Sequence, residues 1–181
     1  MPRAPRLVAP GMTYHVTTLG TGGEAIFMNA GDRLYFLELL ASVVDRWRWA
    51  CLAYCLMTTH YHLVVRTPEN DLARGMHRLN ACHAQRFNWR YDRRGHLFAE
   101  RFHSEQITRE SHLLESIRYV AMNPVRAGMC RSPRAWRWSS YPAAIGLAEP
   151  PPFLAPDELL RLFSRREAVA RKRLRRFVED A

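Results

Sequence analysis

The sequence contains almost no lysine, no CxxC cysteine pair and no long apolar run. A membrane-spanning helix needs about 20 consecutive apolar residues, so the sequence predicts no membrane partner. The first twelve residues, MPRAPRLVAPGM, lack the apolar core of a signal peptide. We therefore expect a cytoplasmic protein.

The cysteines are spread along the chain without a CxxC pair: Cys51, Cys55, Cys82 and Cys130. Structural zinc sites usually bring their ligands together at tight sequence spacing. Scattered cysteines in a reducing compartment are usually small buried hydrophobic residues. The sequence therefore predicts buried thiols rather than a structural zinc site.

The charge of the chain is strongly positive. There are 27 Lys and Arg residues against 17 Asp and Glu residues, which gives a formal net charge of +10, and Lys172 is the single lysine. A small domain this basic usually binds a phosphate polyanion. The planar guanidinium suits phosphates and base edges, which would favour arginine over lysine in a nucleic-acid-binding protein. A GC-rich genome also favours arginine codons, so the excess of arginine over lysine does not show which cause applies.

The hydrophobic pattern predicts seven elements in the order strand, helix, strand, strand, helix, strand, helix. Asp32 is the predicted cap of the first helix, and Pro124 should end the third helix near Asn123 because proline disfavours a helical residue before it. The predicted segments are residues 12–20, 30–48, a hairpin over 50–68 with its turn at 58–59, 71–94, 96–108 and 109–123.

Strands joined by a hairpin, with helices between them, indicate the α+β class. We predict a ferredoxin-like antiparallel sheet with helices packed on one face, plus a basic C-terminal helix. The composition breaks at AEPPPF, which is typical of a stiff proline linker. The expected organisation is a main domain over residues 1–147, a Pro-rich linker over 148–155 and the basic helix over 156–181.

Two histidines stand one residue apart in the predicted strand TTHYHLVV. Residues two apart on a strand point to the same side, which places the Cβ atoms of His60 and His62 about 6.5 to 7 Å apart. Both imidazoles could bind one divalent ion, while Tyr61 should pack on the opposite side. Half-exposed histidines without a metal give the same pattern, so the spacing alone does not decide.

The third predicted helix carries Tyr119 and Asn123 four residues apart, on the same helical face. If this helix packs beside His60 and His62, the Asn123 amide oxygen becomes a ligand for a hard cation and Tyr119 stands next to it. A packed aromatic and an ordinary helix-end residue are the alternatives, and both stay open at this stage.

Four segments carry a resemblance to a known family: YCLMTTHYHLVVRTP, GHLFAERFHSEQI, RYVAMNPVRAG and WRWSSY. In this order they resemble the REP-associated tyrosine transposases, a branch of the single-tyrosine HUH transposase superfamily, from about Tyr14 to Tyr141. Two details depart from the family pattern. The turn before His60 reads MTTH instead of MPNH, and Leu19-Gly20 replaces an Arg-Gly pair.

The resemblance implies a metal-dependent endonuclease and strand transferase that acts on single-stranded DNA next to palindromic hairpins. Its main domain would be the catalytic domain over residues 1–147. By position, His60, His62 and Asn123 would hold a divalent metal, Mg²⁺ or Mn²⁺, and Tyr119 would be the nucleophile that forms a 5′-phosphotyrosine. The expected partners are single-stranded and hairpin DNA, which would place the protein at the nucleoid.

Two basic segments are candidate DNA-binding surfaces, because cations contact phosphates and aromatic rings stack on unpaired bases. The second predicted helix has Phe87, Trp89 and Tyr91 among its arginines. A solvated helix is the alternative for each segment. The candidate residues are Arg74, Arg78, Arg86, Arg90, Arg93 and Arg94 in the first segment, and Arg165, Arg166, Arg171, Lys172, Arg173, Arg175 and Arg176 in the second, which we expect to grip the hairpin stem.

Two further features have alternative interpretations. His15 and His103 lie on predicted strands that neighbour the histidine strand, whereas His77, His83, His96 and His112 are expected to be structural or exposed. The aromatic residues of RAWRWSSY are expected to pack, with base stacking as the alternative.

Two other functions also fit the sequence. One is a non-cleaving DNA-hairpin-binding protein, and the other is a metal-dependent hydrolase in which water attacks. We expect a monomer, with a dimer that exchanges the tyrosine helix as the alternative.

Overall fold

The structure is a computed structural model that describes residues 10–180. Most of MPRAPRLVAPGM, and with it the start of the predicted 1–147 domain, lies outside the described residues, as does Ala181. The elements are β1 (Met12–Leu19), α1 (Ala30–Trp47), β2 (Ala50–Leu56), β3 (His60–Thr67), α2 (Leu72–Arg90), β4 (His103–Ile107), α3 (Glu110–Arg126), α4 (Tyr141–Ala144), α5 (Pro156–Arg161) and α6 (Glu167–Glu179), with short 3-10 turns at Thr21–Gly23 and Pro133–Ala135.

The four strands form one antiparallel sheet in the order β2-β3-β1-β4. Together with α1 and α2 they follow the β-α-β-β-α-β chain order of a ferredoxin-like unit, which confirms the predicted class. The register pairs Thr17 of β1 with His62 on one side and His103 on the other. Paired residues project from the same face, so these three side chains form a row across the sheet.

Helices cover both faces of the sheet, not the single face that was predicted. Tyr61, Leu63 and Val65 pack into one core with residues of α1 and α2. Val64 points the other way, into a second core with residues of α3, α5 and α6. The physical reason is that β2 is apolar on both sides and Val64 of β3 extends its second apolar side, and such a surface must be covered on both faces.

The first helix begins with a capping box. The side chain of Asn29 accepts a hydrogen bond from the Asp32 amide at 3.2 Å, and Asp32 Oδ2 accepts from the Asn29 amide at 3.3 Å. The cap is therefore Asn29, and the predicted cap Asp32 is the third helical residue. An Asn three residues before an Asp fits the reciprocal pattern of a capping box, which the sequence analysis overlooked.

The third helix continues through Pro124 and ends at Arg126. The prediction that it stops near Asn123 is wrong, because Pro124 is buried and the turn around it stays hydrogen-bonded. The Ala127 amide donates to the Asn123 carbonyl at 3.0 Å, and the Met129 amide donates to the Pro124 carbonyl at 2.9 Å. Asn123 therefore keeps its place on the helical face that it shares with Tyr119.

The second helix ends at Arg90, four residues earlier than predicted. Asp92 adopts a positive φ of 46°, a conformation that α-helices do not contain. Arg93 and Arg94 therefore lie in the loop that leads to β4.

The C-terminal segment forms two helices where one was predicted over residues 156–181. The helical conformation ends at Arg161 and resumes at Glu167. Ala170, Leu174 and Val178 recur at four-residue spacing on α6 and are fully buried in the core that includes α3. This apolar stripe makes α6 part of the packed molecule.

The predicted linker also contacts the sheet. The Ala155 amide donates to the Cys51 carbonyl at 2.8 Å, and Leu154 forms a bridge with Cys51. The division into residues 1–147, 148–155 and 156–181 stays a prediction. Within residues 10–180 no helix is long and apolar enough to cross a bilayer. All four cysteines are free thiols, of which Cys51 and Cys55 are buried.

A glycine on α2 allows a tryptophan to cross the helix. A Cβ atom at Gly75 would overlap the outer ring of Trp49, and Trp49 is fixed because its Nε1 donates to Asp71 Oδ1 at 2.7 Å. We expect Gly75→Ala to lower the free energy of unfolding by about 1 to 3 kcal/mol, as overpacking usually does. Urea unfolding followed by circular dichroism measures the loss.

The matched background for this test is Trp49→Phe, which removes the part of the ring that the new Cβ would meet. Gly75→Ala should cost clearly less in that background. Equal losses in both backgrounds would show that the ring is not the cause.

Candidate active site

The turn before β3 places His60 and His62 at the end of the sheet. The Met57 amide donates to the His60 carbonyl at 2.9 Å and closes the turn. The Gly20 amide donates to the Thr59 carbonyl at 2.8 Å and anchors the turn on the loop after β1. The two imidazoles project from the same face, with ring centroids 5.1 Å apart and ring planes nearly perpendicular.

The amide of Asn123 reaches both imidazoles from α3. Its Nδ2 lies 3.0 Å from His62 Nε2, and its Oδ1 lies 3.4 Å from His60 Nε2. Asn123 is 8% exposed and His62 is 3% exposed, so water has little access to this contact. The structure therefore brings Asn123 to two histidines that lie 61 and 63 residues before it in the sequence.

The phenol of Tyr119 lies beside the same histidines, one helical turn before Asn123. Its ring centroid is 5.4 Å from that of His62 and 5.8 Å from that of His15. Tyr119 is 40% exposed, so the side chain borders the solvent while the imidazole of His62 lies beneath it. All of these groups belong to one chain, and no exchange of α3 between copies is needed to assemble them.

The other nitrogen of each imidazole has a partner of its own. His62 Nδ1 lies 3.0 Å from Thr17 Oγ1 and 3.1 Å from His15 Nε2. His60 Nδ1 lies 3.1 Å from Thr59 Oγ1. Such contacts orient an imidazole and leave its second nitrogen for a ligand, so both Nε2 atoms face Asn123.

His15 was a candidate from the sequence pattern, whereas the contacts of Thr17 and Thr59 with the two histidines were not predicted. Thr17 occupies the strand position directly opposite His62. The alternating pattern of β1 shows which side of the strand Thr17 faces. Its pairing with His62 could not be predicted, because it depends on the register of β1 against β3.

The histidines of the site are held in the neutral form. Burial, together with the nearby imidazoles of His15 and His60, lowers the pKa of His62 to about 3. Burial also lowers the pKa of His60, although its contact with Asn123 acts in the opposite direction. A neutral imidazole has a free lone pair, and only this form binds a metal.

The donor atoms fit a divalent cation. Within residues 10–180 no group of three or more His, Cys, Asp or Glu side chains could hold a metal; the polar side chain between the rings of His60 and His62 is the amide of Asn123. Adjacent ligands of an octahedral ion lie about 2.1 Å from it and therefore about 3 Å from each other. The Asn123 oxygen Oδ1 lies 3.4 Å from His60 Nε2, close to that spacing. The amide nitrogen Nδ2, which does not bind a metal, lies 3.0 Å from His62 Nε2, so the amide would turn to direct its oxygen at an ion between the two rings.

The remaining histidines lie outside this group. His103 is exposed on β4 in the same row as Thr17, and His112 is 3.4 Å from Glu105. His83 is buried, with Nε2 2.8 Å from the carbonyl oxygen of Ile26, which is a structural role. His77 and His96 are exposed on the side of the sheet covered by α1 and α2.

The arginines of the first basic segment lie on or next to α2, across the sheet from the histidine site. Arg93 forms an ion pair with Glu24, and the guanidinium of Arg86 lies 4.0 Å from the ring centroid of Tyr35. Arg90 is 3.9 Å from Asp32. Of the six residues, those exposed and without an ion pair in the described part of the chain are Arg74, Arg78, Arg86 and Arg94, of which Arg86 contacts the Tyr35 ring.

The aromatic residues among these arginines differ in role. Phe87 is buried in the core, and Tyr91 donates its hydroxyl to Asp32 at 2.8 Å. Trp89 is 84% exposed. Of these three rings, Trp89 alone is free to stack on a base.

Several cations of the C-terminal segment form ion pairs or hydrogen bonds with other residues of the same segment. Ion pairs join Arg171 to Glu167, Arg175 to Glu179 and Arg176 to Asp180. Arg173 donates to the Phe163 carbonyl at 2.8 Å. Besides Arg173, three exposed cations of the candidate set form no ion pair with any described residue: Arg165, Arg166 and Lys172.

The segment RAWRWSSY packs along the outer edge of β2. Trp136 Nε1 donates to the Leu56 carbonyl at 3.1 Å, and the Ser140 amide donates to the Tyr54 carbonyl at 2.9 Å. The contacts agree with the predicted packing role and also cover an exposed strand edge.

The family model of the IS200-like transposases matches residues 9–123. The chain belongs to this family of transposases. Its fold resembles that of the REP-associated tyrosine transposase solved bound to a REP hairpin, with a TM-score of 0.69 and 16% sequence identity over 86% of this chain and 92% of that one. No curated protein sequence gives a significant match. The resemblance noted from the four motifs is confirmed.

Proposed function

We propose that this transposase cleaves single-stranded DNA next to hairpins and transfers the cut strand through a covalent bond to Tyr119. The observation that carries the proposal is the convergence of one phenol, one amide and two neutral imidazoles in a single chain. The Tyr119 and His62 ring centroids are 5.4 Å apart, and the Asn123 amide contacts both histidines.

A divalent ion, Mg²⁺ or Mn²⁺, would be held by His60 Nε2, His62 Nε2 and the Asn123 amide oxygen. When bound, such an ion withdraws charge from a phosphate oxygen and makes the phosphorus easier to attack. Thr17 and His15 hold the ring of His62, and Thr59 holds that of His60. These contacts keep both Nε2 atoms directed at one point before DNA arrives.

In the cleavage step the Tyr119 oxygen forms a bond to phosphorus while the bond from phosphorus to the 3′ oxygen breaks. The phenol gives up one proton and the departing oxygen takes one up, so the reaction has no net proton or redox change. The DNA keeps a 5′-phosphotyrosine link and a free 3′-hydroxyl. Because this link is itself a phosphodiester, attack by another 3′-hydroxyl rejoins the strands without a nucleotide cofactor.

One incubation separates this function from its two rivals. Protein, single-stranded DNA that carries a hairpin and a label at its 3′ end, and Mn²⁺ are mixed, and the products are separated under denaturing conditions. A labelled adduct of protein and DNA supports the proposal. Cut ends without an adduct would indicate a hydrolase that uses water, and intact DNA would indicate a protein that only binds.

The DNA would contact two surfaces. The solved relative holds a REP hairpin, and hairpin and single-stranded DNA are the partners that we propose here, with the nucleoid as the place of action. The free cations of α2 and of the C-terminal segment would contact phosphates, and Trp89 would stack on an unpaired base. Since the site assembles within one chain, we propose a monomer that acts in cis.

The C-terminal surface is tested by neutralisation rather than by deletion, since removing α6 would uncover the core that it fills. We expect Arg165→Gln, Arg166→Gln and Lys172→Gln together to weaken hairpin binding about tenfold or more at 0.1 M salt. The slope of log K against log salt should fall by about 2 to 3, since each phosphate contact releases one counterion. Fluorescence anisotropy across a salt series measures both.

The control replaces two cations that are already paired, Arg175→Gln with Arg176→Gln. This pair should change the affinity and the slope much less. An equal effect of the two sets would mean that net charge alone, and not this surface, controls binding.

A further inference from the structure

Arg126 lies over the proposed nucleophile. Its guanidinium carbon is 5.2 Å from the centroid of the Tyr119 ring. Arg126 follows Tyr119 by seven residues on α3, two helical turns later, so both side chains project from the same face as Asn123. The helix therefore carries the phenol, the amide and a cation in one row.

The guanidinium has no acidic partner within residues 10–180. The arginines of the described ion pairs on this helix and behind it, Arg118, Arg134 and Arg175, each have a glutamate, whereas Arg126 is exposed and in no ion pair. An unpaired guanidinium has five N–H donors in a planar fork, which suits the oxygens of a phosphate.

We propose that Arg126 is a catalytic residue that binds a non-bridging oxygen of the scissile phosphate. This inference rests on the proposed function of Tyr119. The phosphate must approach the Tyr119 hydroxyl, and Arg126 is the cation next to that ring. In this position its guanidinium would neutralise the charge that builds up on that oxygen as the new bond forms.

A purely structural role would also explain the contact, because a cation near a helix C-terminus is favourable and a guanidinium packs well on an aromatic ring. The two roles differ in one respect. A structural Arg126 stabilises the Tyr119 ring whatever the DNA carries, whereas a phosphate ligand acts only on a charged phosphate.

The first experiment measures adduct formation in single turnover with saturating hairpin DNA and Mn²⁺. We expect Arg126→Ala to slow the rate constant about 100-fold or more, as loss of one donor to a developing oxyanion does, and Arg126→Lys to recover part of it. Arg109→Ala is the matched control, since Arg109 is exposed at the opposite end of the same helix, and its rate should match the unmodified protein.

The second experiment isolates the phosphate contact from the chemistry. In the Tyr119→Phe background, which cannot form the adduct, the affinity is measured for DNA with a normal phosphate or a neutral methylphosphonate at the scissile position. Arg126→Ala should weaken binding of the normal DNA about five- to tenfold, as loss of a charge-assisted hydrogen bond does, and should leave the methylphosphonate DNA unchanged.

Equal losses on both DNAs would overturn the proposal in favour of a structural role, and so would an unchanged adduct rate in Arg126→Ala. Thermal unfolding of each variant separates these results from a loss of fold. If the unmodified protein forms no adduct, the proposed function of Tyr119 has failed. The binding comparison then still shows whether Arg126 contacts the phosphate.

Discussion

Replacing Tyr119 with phenylalanine should remove the covalent protein–DNA adduct altogether, with a loss of about 10⁴-fold or more in cleavage rate, as removal of a nucleophile usually causes. The substitution deletes one oxygen and leaves the ring. The contacts of the ring with His62, His15 and Arg126 therefore persist, and the fold and the hairpin affinity should change little. The adduct is measured on a denaturing gel with labelled DNA, and the affinity by anisotropy.

The structure offers a close control for this substitution. Tyr35 on α1 lies under the guanidinium of Arg86 at 4.0 Å, much as Tyr119 lies under Arg126. Tyr35→Phe therefore removes a hydroxyl from a similar ring and cation pair away from the histidines, and adduct formation should be unchanged. An adduct that persists in Tyr119→Phe would assign the nucleophile to another residue.

The second large effect is expected for the histidines. His60→Ala and His62→Ala should each abolish cleavage with Mg²⁺ or Mn²⁺. Each substitution removes one of the three proposed metal ligands, which are the two imidazoles and the Asn123 amide. Hairpin affinity should stay within a few-fold, since the free cations of α2 and α6 do not contact these rings. Removing divalent ions from the unmodified protein with EDTA should reproduce the loss.

His60→Ala is the cleaner of the two variants, because His62 is only 3% exposed and its removal leaves Thr17 and His15 without their partner. His103→Ala serves as the control, since this histidine is exposed and lies in the same strand row without contacting Asn123. Cleavage that survives in His60→Ala, or a metal affinity equal to that of the unmodified protein, would contradict the proposed metal site.

A smaller effect is expected for Thr17, which contacts His62 but is not a proposed metal ligand. Thr17→Val keeps the shape of the side chain and removes the hydroxyl that lies beside His62 Nδ1. Loss of such an orienting contact usually costs about 10- to 100-fold in metal affinity or activity. A Mn²⁺ titration of the cleavage rate would show this as a shift to higher metal concentration with a normal rate at saturation.

Local periodicity was enough to predict much of the site. The alternation of side chains on a strand placed His60 and His62 together, and helical spacing placed Tyr119 near Asn123. Both inferences depend only on geometry within one element, which is why they hold without knowledge of the tertiary structure.

Features that depend on contacts between elements were not predictable in this way. Thr17 was missed because its position opposite His62 depends on the strand register. The end of α3 was misplaced because burial of Pro124 outweighs the local preference of the residue before it. The helices on the second face were not predicted, because a strand that is apolar on both sides shows no polar alternation. Its sequence does not indicate that both faces are covered.

The packing of α6 behind α3 constrains how two copies of this protein could share a nucleophile. Ile117 and Val120 on α3 lie in one core with Leu174 and Val178 on α6, and the guanidinium of Arg118 lies 4.6 Å from the ring centroid of Phe177. If α3 moved into a neighbouring molecule, it would either carry the last helix with it or leave these apolar side chains facing water. An exchange of the tyrosine helix between two subunits would thus require α3 and α6 to be exchanged together.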